Sequence, residues 1–310
     1  MRFDQLGEDG PDVSVVGLGC NNFGGRVDRA GTRAVVEAAL DVGITLFDTA
    51  DTYGNGGGSE TFLGEALKGR RDEVVLATKF GHAMPGADPS VARGSRDYIR
   101  SAVDDSLRRL QTDWIDLYQY HRPDGVTPIE ETLGALDELV DEGKVRFVGS
   151  SNFSAELVEE ADGLARERGW ARFVSAQNEY SLVEREAEEE LLPVCERLGI
   201  GVLPYFPLAS GLLTGKYRRG QPAPEGARLA ASPERLKDEV FDRVEALERY
   251  AEERGRSLIE VAIAGLAAQP AVVSVIAGAT KPEQVRANAD AGGWEPSRQD
   301  LDGLREALGA

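Results

Sequence analysis

The 310 residues include only two cysteines, Cys20 and Cys195, far apart in the chain. Two isolated thiols build neither a metal cluster nor a disulfide framework, so no bound metal is expected and a reducing compartment fits best. Basic residues are also short: 35 Lys and Arg face 54 Asp and Glu, a net charge of −19. Long-range attraction therefore works against nucleic acid and anionic membrane surfaces, and an anionic ligand needs a local basic spot. No apolar run approaches the length that spans a bilayer, and the opening M-R-F-D-Q-L-G lacks the apolar core of a signal peptide. A cytoplasmic protein is the expectation. No motif assigns an oligomeric state. Against these absences stand 41% hydrophobic residues, ample for a sizeable core.

What is present centres on Thr45 to Gly54, T-L-F-D-T-A-D-T-Y-G. Leu46 and Phe47 are apolar and strand-like, and the run turns polar at Asp48. Asp51, Tyr53 and the glycines at 54, 56, 57 and 58 follow, before a helix near Ser59. A buried strand that ends on a carboxylate and leads to a loop tyrosine is one way to build a catalytic edge. A helix cap beside a packing tyrosine is the other reading of this segment alone.

The rest of the chain repeats one unit. The pieces 2–6 and 13–16 flank the turn-forming Glu8-Asp9-Gly10-Pro11 and predict a β-hairpin. Strands are expected at 15–19, 44–47, 74–78, 115–120, 145–149, 173–176, 201–203 and 272–276. The first helix starts at Thr32 as N-cap and runs to Val42, with Gly43 closing it. Further helices are expected at 60–68 and 98–110, where Ile99, Val103, Leu107 and Leu110 share a face. Others carry Ile129 to Val140, Leu157 to Leu164 and Leu191 to Leu198. A long loop, 206–232, interrupts the rhythm before helices near 233–254, 257–268 and 282–289, and Leu301, Leu304 and Leu308 mark an amphipathic tail helix.

About eight strand–helix units without a linker predict an α/β fold. The expected form is a (β/α)8 TIM barrel over residues 1–310 as one domain, with an N-terminal β-hairpin and a C-terminal extra helix. A doubly wound open sheet in two halves is the alternative. The Gly17-x-Gly19 pair invites a dinucleotide-fold reading, but Asn22 stands where the third glycine belongs.

In such a barrel the carboxyl ends of all strands meet on one face, where chemistry happens. The strand-end residues are Gly19 and Cys20, Asp48, Lys79, His121, Ser151 and Asn152, Gln177, Tyr205 and Gly278. Singly, each has a structural explanation. Their recurrence at the same point of successive units favours a shared site. A lysine, an aspartate, a tyrosine and a histidine in one cleft suggest proton transfer to an oxygen. A free tyrosine, with a pKa of about 10, is a reluctant acid at neutral pH, and a nearby ammonium lowers that value. At ~4 Å and an effective dielectric of about 20, the charge–charge energy is roughly 4 kcal/mol before desolvation is subtracted. The expectation is a tyrosine tuned downward by Lys79, with Asp48 holding the lysine and His121 orienting the substrate oxygen or relaying a proton.

With these motifs in place, the sequence resembles the aldo-keto reductases along nearly its whole length. The pieces are F-D-T-A-D-T-Y-G (47–54), T-K-F (78–80), D-L-Y-Q-Y-H-R-P-D (116–124), V-G-S-S-N-F (148–153) and Q-N-E-Y (177–180). P-L-A-S-G-L-L-T-G-K-Y (207–217) and I-A-G-A-T-K-P-E-Q-V-R-A-N (276–288) complete them. The H-R-P-D and L-A-S-G-L-L-T-G-K-Y runs are similar to the bacterial and potassium-channel β-subunit-like branch. The resemblance implies an NADPH-dependent reductase of a small carbonyl substrate, an aldehyde or ketone, with NADH as the alternative coenzyme. It implies a tetrad of Asp48, Tyr53, Lys79 and His121, with Tyr53 as general acid.

For the cofactor the resemblance implies Ser151, Asn152 and Gln177 at the nicotinamide carboxamide and Tyr205 stacked on its ring. It places Cys20 and Asn21 at the cleft, Phe206, Pro207, Leu208, Ser210, Gly211 and Lys216 over the pyrophosphate, and Gly278, Thr280, Gln284 and Asn288 at the adenosine. Phe206 replaces a usual serine and Ala277 a frequent proline. Gln284 stands where relatives carry arginine, which leaves 2′-phosphate recognition to Thr280, Lys281 or Arg286. Trp114, Phe23 and Phe80 are candidates for an apolar wall, and His82 and Met84 for the cleft lining. Two other readings remain: a nucleotide-sensing binding subunit with incidental turnover, and a Schiff-base lyase using Lys79.

Overall fold

The computed structural model describes residues 1–84, 87–88, 90–232, 234 and 236–309. A hairpin of β1 (Phe3–Gln5) and β2 (Asp12–Ser14) leads into β3 (Val16–Gly19), β4 (Leu46–Asp48), β5 (Val75–Phe80), β6 (Ile115–Tyr120), β7 (Val145–Ser151), β8 (Phe173–Gln177), β9 (Gly201–Val202) and β10 (Val275–Gly278). After β3 to β8 come, in turn, α1 (Arg29–Asp41), α2 (Tyr53–Ala66), α3 (Arg96–Leu110), α4 (Ile129–Asp141), α5 (Ala155–Arg168) and α6 (Leu191–Leu198). Between β9 and β10 lie α7 (Asp238–Glu253) and α8 (Leu258–Ala267); α9 (Pro282–Ala291) and α10 (Arg298–Ala307) end the chain. The expected helix near 233–254 thus begins at Asp238; Pro233 and Arg235 fall outside the described residues.

β3 to β10 form one parallel eight-stranded sheet in the order β10-β3-β4-β5-β6-β7-β8-β9. Its two ends meet through parallel bridges from Val202 to Val272 and from Tyr205 to Ile276. The sheet therefore closes on itself, as in a (β/α)8 barrel, and the open two-halved sheet is excluded.

Two apolar layers hold it. The larger lies between strands and helices, where Ile99, Val103 and Leu110 of α3 are buried on the face that their spacing predicts. The smaller fills the barrel: Leu46, Ala77, Leu117, Val174, Leu203 and Ile276 pack with Leu6 and Val13 of the hairpin segment, which plugs the end where the strands begin. Local chemistry sets the helix ends. Asp28, rather than the expected Thr32, caps α1 by accepting from the Gly31 amide, and Thr32 is buried in the first turn. Ser257 with Glu260, and Ser297 with Asp300, form capping boxes at α8 and α10.

Candidate active site

Strand periodicity places the polar floor of the site. Side chains two residues apart share a face, so the inward Leu46, Ala77 and Leu117 are succeeded by Asp48, Lys79 and Gln119 one step nearer the carboxyl end. Asp48 is 3% exposed and Lys79 wholly buried. Asp48 Oδ2 accepts from Lys79 Nζ at 2.7 Å, and its Oδ1 accepts from Gln177 Nε2 at 2.9 Å and Gln119 Nε2 at 3.2 Å. Lys79 also donates to the Thr49 carbonyl at 2.8 Å. Two of its three N–H donors are thus engaged, and the third is left for Tyr53, whose ring centroid stands 5.1 Å away. Gln119 escaped notice in the sequence, although it sits two residues before His121 and so points the same way.

Tyr53 heads α2 but is separated from the body of that helix by Gly54, Asn55, Gly56 and Gly57, all at positive φ. A Cβ on Gly54 would come within 2.5 Å of the Phe23 carbonyl oxygen, so the kink needs glycine there. The kink leaves the phenol half-buried over Lys79, with the His121 ring edge-on at 5.7 Å between centroids. The His82 ring lies tilted against His121, with 4.8 Å between centroids. Cys20, fully buried beside Asp48, has its thiol pushed well up by burial and is no nucleophile.

Protonation follows from burial. Burial works to lower the Lys79 pKa, but Asp48 and Tyr53 outweigh it and hold the ammonium above its ordinary value. Tyr53 departs from expectation. Burial raises its pKa; Lys79 pulls it down and Asp48 and Cys20 push it up, and the balance lies above the ordinary tyrosine value. The tuning by Lys79 is present but smaller than the loss of water. Burial, then Lys79, then His82 and Arg122, push the His121 imidazole down to about 2, so it is neutral. Behind Tyr53, burial and then Glu60 push Asp51 up to about 7 against the opposing pull of Arg109, and its Oδ1 has no hydrogen-bond partner among the described residues.

Asp48, Tyr53 and His121 line a cavity of about 690 Å³ with Cys20, Asn21, Ser151, Asn152, Gln177 and Tyr205. The same cavity reaches Phe206, Pro207, Leu208, Ser210, Gly211 and Lys216, then Gly278, Thr280, Gln284 and Asn288. All the site residues expected from the sequence therefore come together, with Lys79 directly beneath the floor. The apolar-wall candidates do not join them. Phe23 and Phe80 are core, Trp114 packs between Arg71 and Arg146, and the exposed Met84 lies off the lining. His82 does line the cavity.

Several cofactor residues are already engaged. Asn152 donates to the His121 carbonyl at 2.8 Å and accepts from Tyr205 Oη at 2.7 Å, which fixes the Tyr205 ring edge-on to Phe206. Gln284 Oε1 accepts from the Thr280 amide at 2.7 Å.

The far end of the cavity suits a phosphorylated ligand. Ala209, Ser210 and Gly211 stand consecutively at positive φ; the Ala209 and Gly211 amides donate to the Phe206 and Leu208 carbonyls at 2.7 Å. Gly211, whose φ of 95° favours glycine, lies against the Lys216 side chain: a Cβ there would stand 2.5 Å from Nζ. Burial, then Arg26 and Arg228, lower the Lys216 pKa, which puts three cations in one neighbourhood. Arg26 also donates to the Gly226 carbonyl at 2.8 Å, linking the loop after β3 to the loop after β9. Arg26, Arg122 and Arg228 line the cavity, whereas Lys281 and Arg286 do not. Arg26 and Arg228 carry no periodic signal in sequence; their loops meet only in the folded barrel.

A family model described as "Aldo/keto reductase family" matches residues 15–308. The aldo-keto reductase YhdN of Bacillus subtilis (strain 168) is 38% identical over 320 residues, covering 99% of this chain and 94% of that one. A probable voltage-gated potassium channel subunit beta of Arabidopsis thaliana is 36% identical over 302 residues (94% and 91%). The L-glyceraldehyde 3-phosphate reductase of Escherichia coli (strain K12) is 35% identical over 306 residues (94% and 87%).

Proposed function

The chain belongs to the aldo-keto reductase family, a family of carbonyl oxidoreductases that use nicotinamide cofactors, and on that premise we propose that it reduces an aldehyde or ketone to the alcohol with NADPH. The observation that carries this reading is the Tyr53 phenol, held between the buried Lys79 ammonium and a neutral His121 on the wall of a cavity lined at its other end by Arg26, Lys216 and Arg228.

When bound, NADPH supplies a hydride for the carbonyl carbon. The chain's residues manage the oxygen. Tyr53 Oη gives its proton to that oxygen as negative charge develops there. The Lys79 ammonium stabilises the phenolate left behind, and Asp48, braced by Gln119 and Gln177, keeps the ammonium charged and in place. His121 orients the oxygen by hydrogen bonding, since its imidazole carries no charge near neutrality. Solvent returns the proton to Tyr53.

Three cations at the far end suit the pyrophosphate that NADPH and NADH share, and the choice of NADPH rests on the family resemblance. The test is NADPH oxidation, followed by absorbance, against a panel of aldehydes and ketones. A second reading draws on the relatives named as channel β subunits: a nucleotide-sensing subunit whose turnover is incidental. Tight NADPH binding without a useful rate on any carbonyl would select it.

A further inference from the structure

The cavity is electropositive in an acidic protein. Its lining includes Arg26, Arg122, Lys216 and Arg228 but a single carboxylate, Asp48, which Lys79, Gln119 and Gln177 already engage. Three of those cations belong to the far end, where Lys216 feels Arg26 and Arg228. The fourth is placed differently. Arg122 follows His121 directly, and its charge bears on His121, His82 and Tyr205, the groups around the reacting centre.

Arg122 has no hydrogen-bond or ion-pair partner among the described residues, while many other arginines are paired, including Arg71, Arg109 and Arg172. The groups around it leave an incoming charge to Arg122 alone. His121 and His82 are both held toward the neutral form by burial. Lys79 is sealed beneath the floor, and Arg93 is turned away onto the carbonyls of Asp88 and Val91. Glu179, whose backbone bridges Tyr205 and whose charge opposes that of Arg122 there, does not line the cavity.

From this arrangement we propose that the substrate is an acidic aldehyde or ketone, whose carboxylate or phosphate is received by Arg122 at the mouth of the cleft while its carbonyl lies at Tyr53. This rests on the reductase reading and narrows it. An exposed guanidinium meeting an anion across one or two charge-assisted hydrogen bonds supports about a tenfold preference, at the low end for such contacts because solvent competes. The preference weakens as salt rises.

The test compares kcat/KM, with NADPH, for 4-carboxybenzaldehyde, 4-formylphenyl phosphate and methyl 4-formylbenzoate, which carry one aldehyde with and without a charge. The expected result is that an acidic aldehyde outcompetes the ester. That ratio should fall about tenfold in Arg122→Gln, mostly through KM, and Arg122→Lys should retain part of it. The larger of the two acidic ratios separates carboxylate from phosphate. Equal rates for acid and ester, or a ratio unmoved by Arg122→Gln, would overturn the inference and leave the reductase reading standing. If NADPH binds but none of the three aldehydes, nor any in the wider panel, is reduced, the reductase reading fails and takes this inference with it.

Discussion

The Lys79 ammonium stands 2.7 Å from Asp48 Oδ2, with side-chain exposures of 0% and 4%. Neither charge has water to fall back on. Removing one partner strands the other, a loss of about 3–5 kcal/mol for a buried pair. Lys79→Met should therefore lower stability by that order in denaturant unfolding, and Asp48→Asn/Lys79→Met should recover much of it without recovering activity. A single mutant within ~1 kcal/mol of the wild type would mean that Asp48 is satisfied by Gln119 and Gln177 alone.

Tyr53→Phe removes only the phenolic oxygen. Carbonyl reduction should drop by about 10²- to 10⁴-fold, the usual worth of a positioned acid. NADPH affinity, measured by fluorescence titration, should stay within about threefold. Retained turnover would remove Tyr53 from the role of acid.

The pH profile follows from two shifts. Burial raises Tyr53 above its ordinary value, so the phenol stays protonated through neutrality and reduction should hold into the alkaline range. Alcohol oxidation, which needs the phenolate, should instead rise with pH. His121 is pushed down to about 2, so it should give no rate limb near pH 6.5. A limb at pH 6–7 that disappears in His121→Asn would contradict a neutral imidazole.

His121 also enters acid stability. Its folded pKa lies below the unfolded value of about 6.5, so the unfolded chain binds the extra proton and stability falls as pH drops below 6.5. Asp51 has the opposite sign. Pushed up to about 7, it binds its proton more tightly when folded, and it loses stability as pH rises from about 4 to 7. Asp51→Asn should thus gain on the wild type across that window, by a ceiling of ~4 kcal/mol at pH 8. Thermal melts at pH 4 and pH 8 measure it, and an offset that does not change with pH would place Asp51 in water.

At the far end, Lys216→Met should weaken NADPH by about tenfold, the loss of one charge-assisted contact, and flatten the salt dependence of binding. Unchanged affinity at low salt would move the phosphate away from Lys216.

Much of this was legible in the residues themselves. The strand–helix alternation needs only hydrophobic periods, and a closed parallel barrel then brings its strand ends together. Hence Asp48, Lys79, His121, Ser151 and Gln177 meet at one end although up to 129 residues separate hydrogen-bonded partners. Helix ends were less legible: Thr32 has the chemistry of a cap, but Asp28 stands where the chain enters the helix. The sequence also carried F-D-T-A-D-T-Y-G, and with it the family.

The tertiary structure alone decided three things. It set the direction of the Tyr53 shift, because desolvation depends on how many atoms crowd the phenol and not on which residues are nearby in the motif. It added Arg26, Arg122 and Arg228 to the cavity's cations and left out Lys281 and Arg286, because loop conformation has no period to read. And it withdrew Trp114, Phe23 and Phe80 from the cleft, because an aromatic side chain packs equally well into a core or a wall until the backbone aims it.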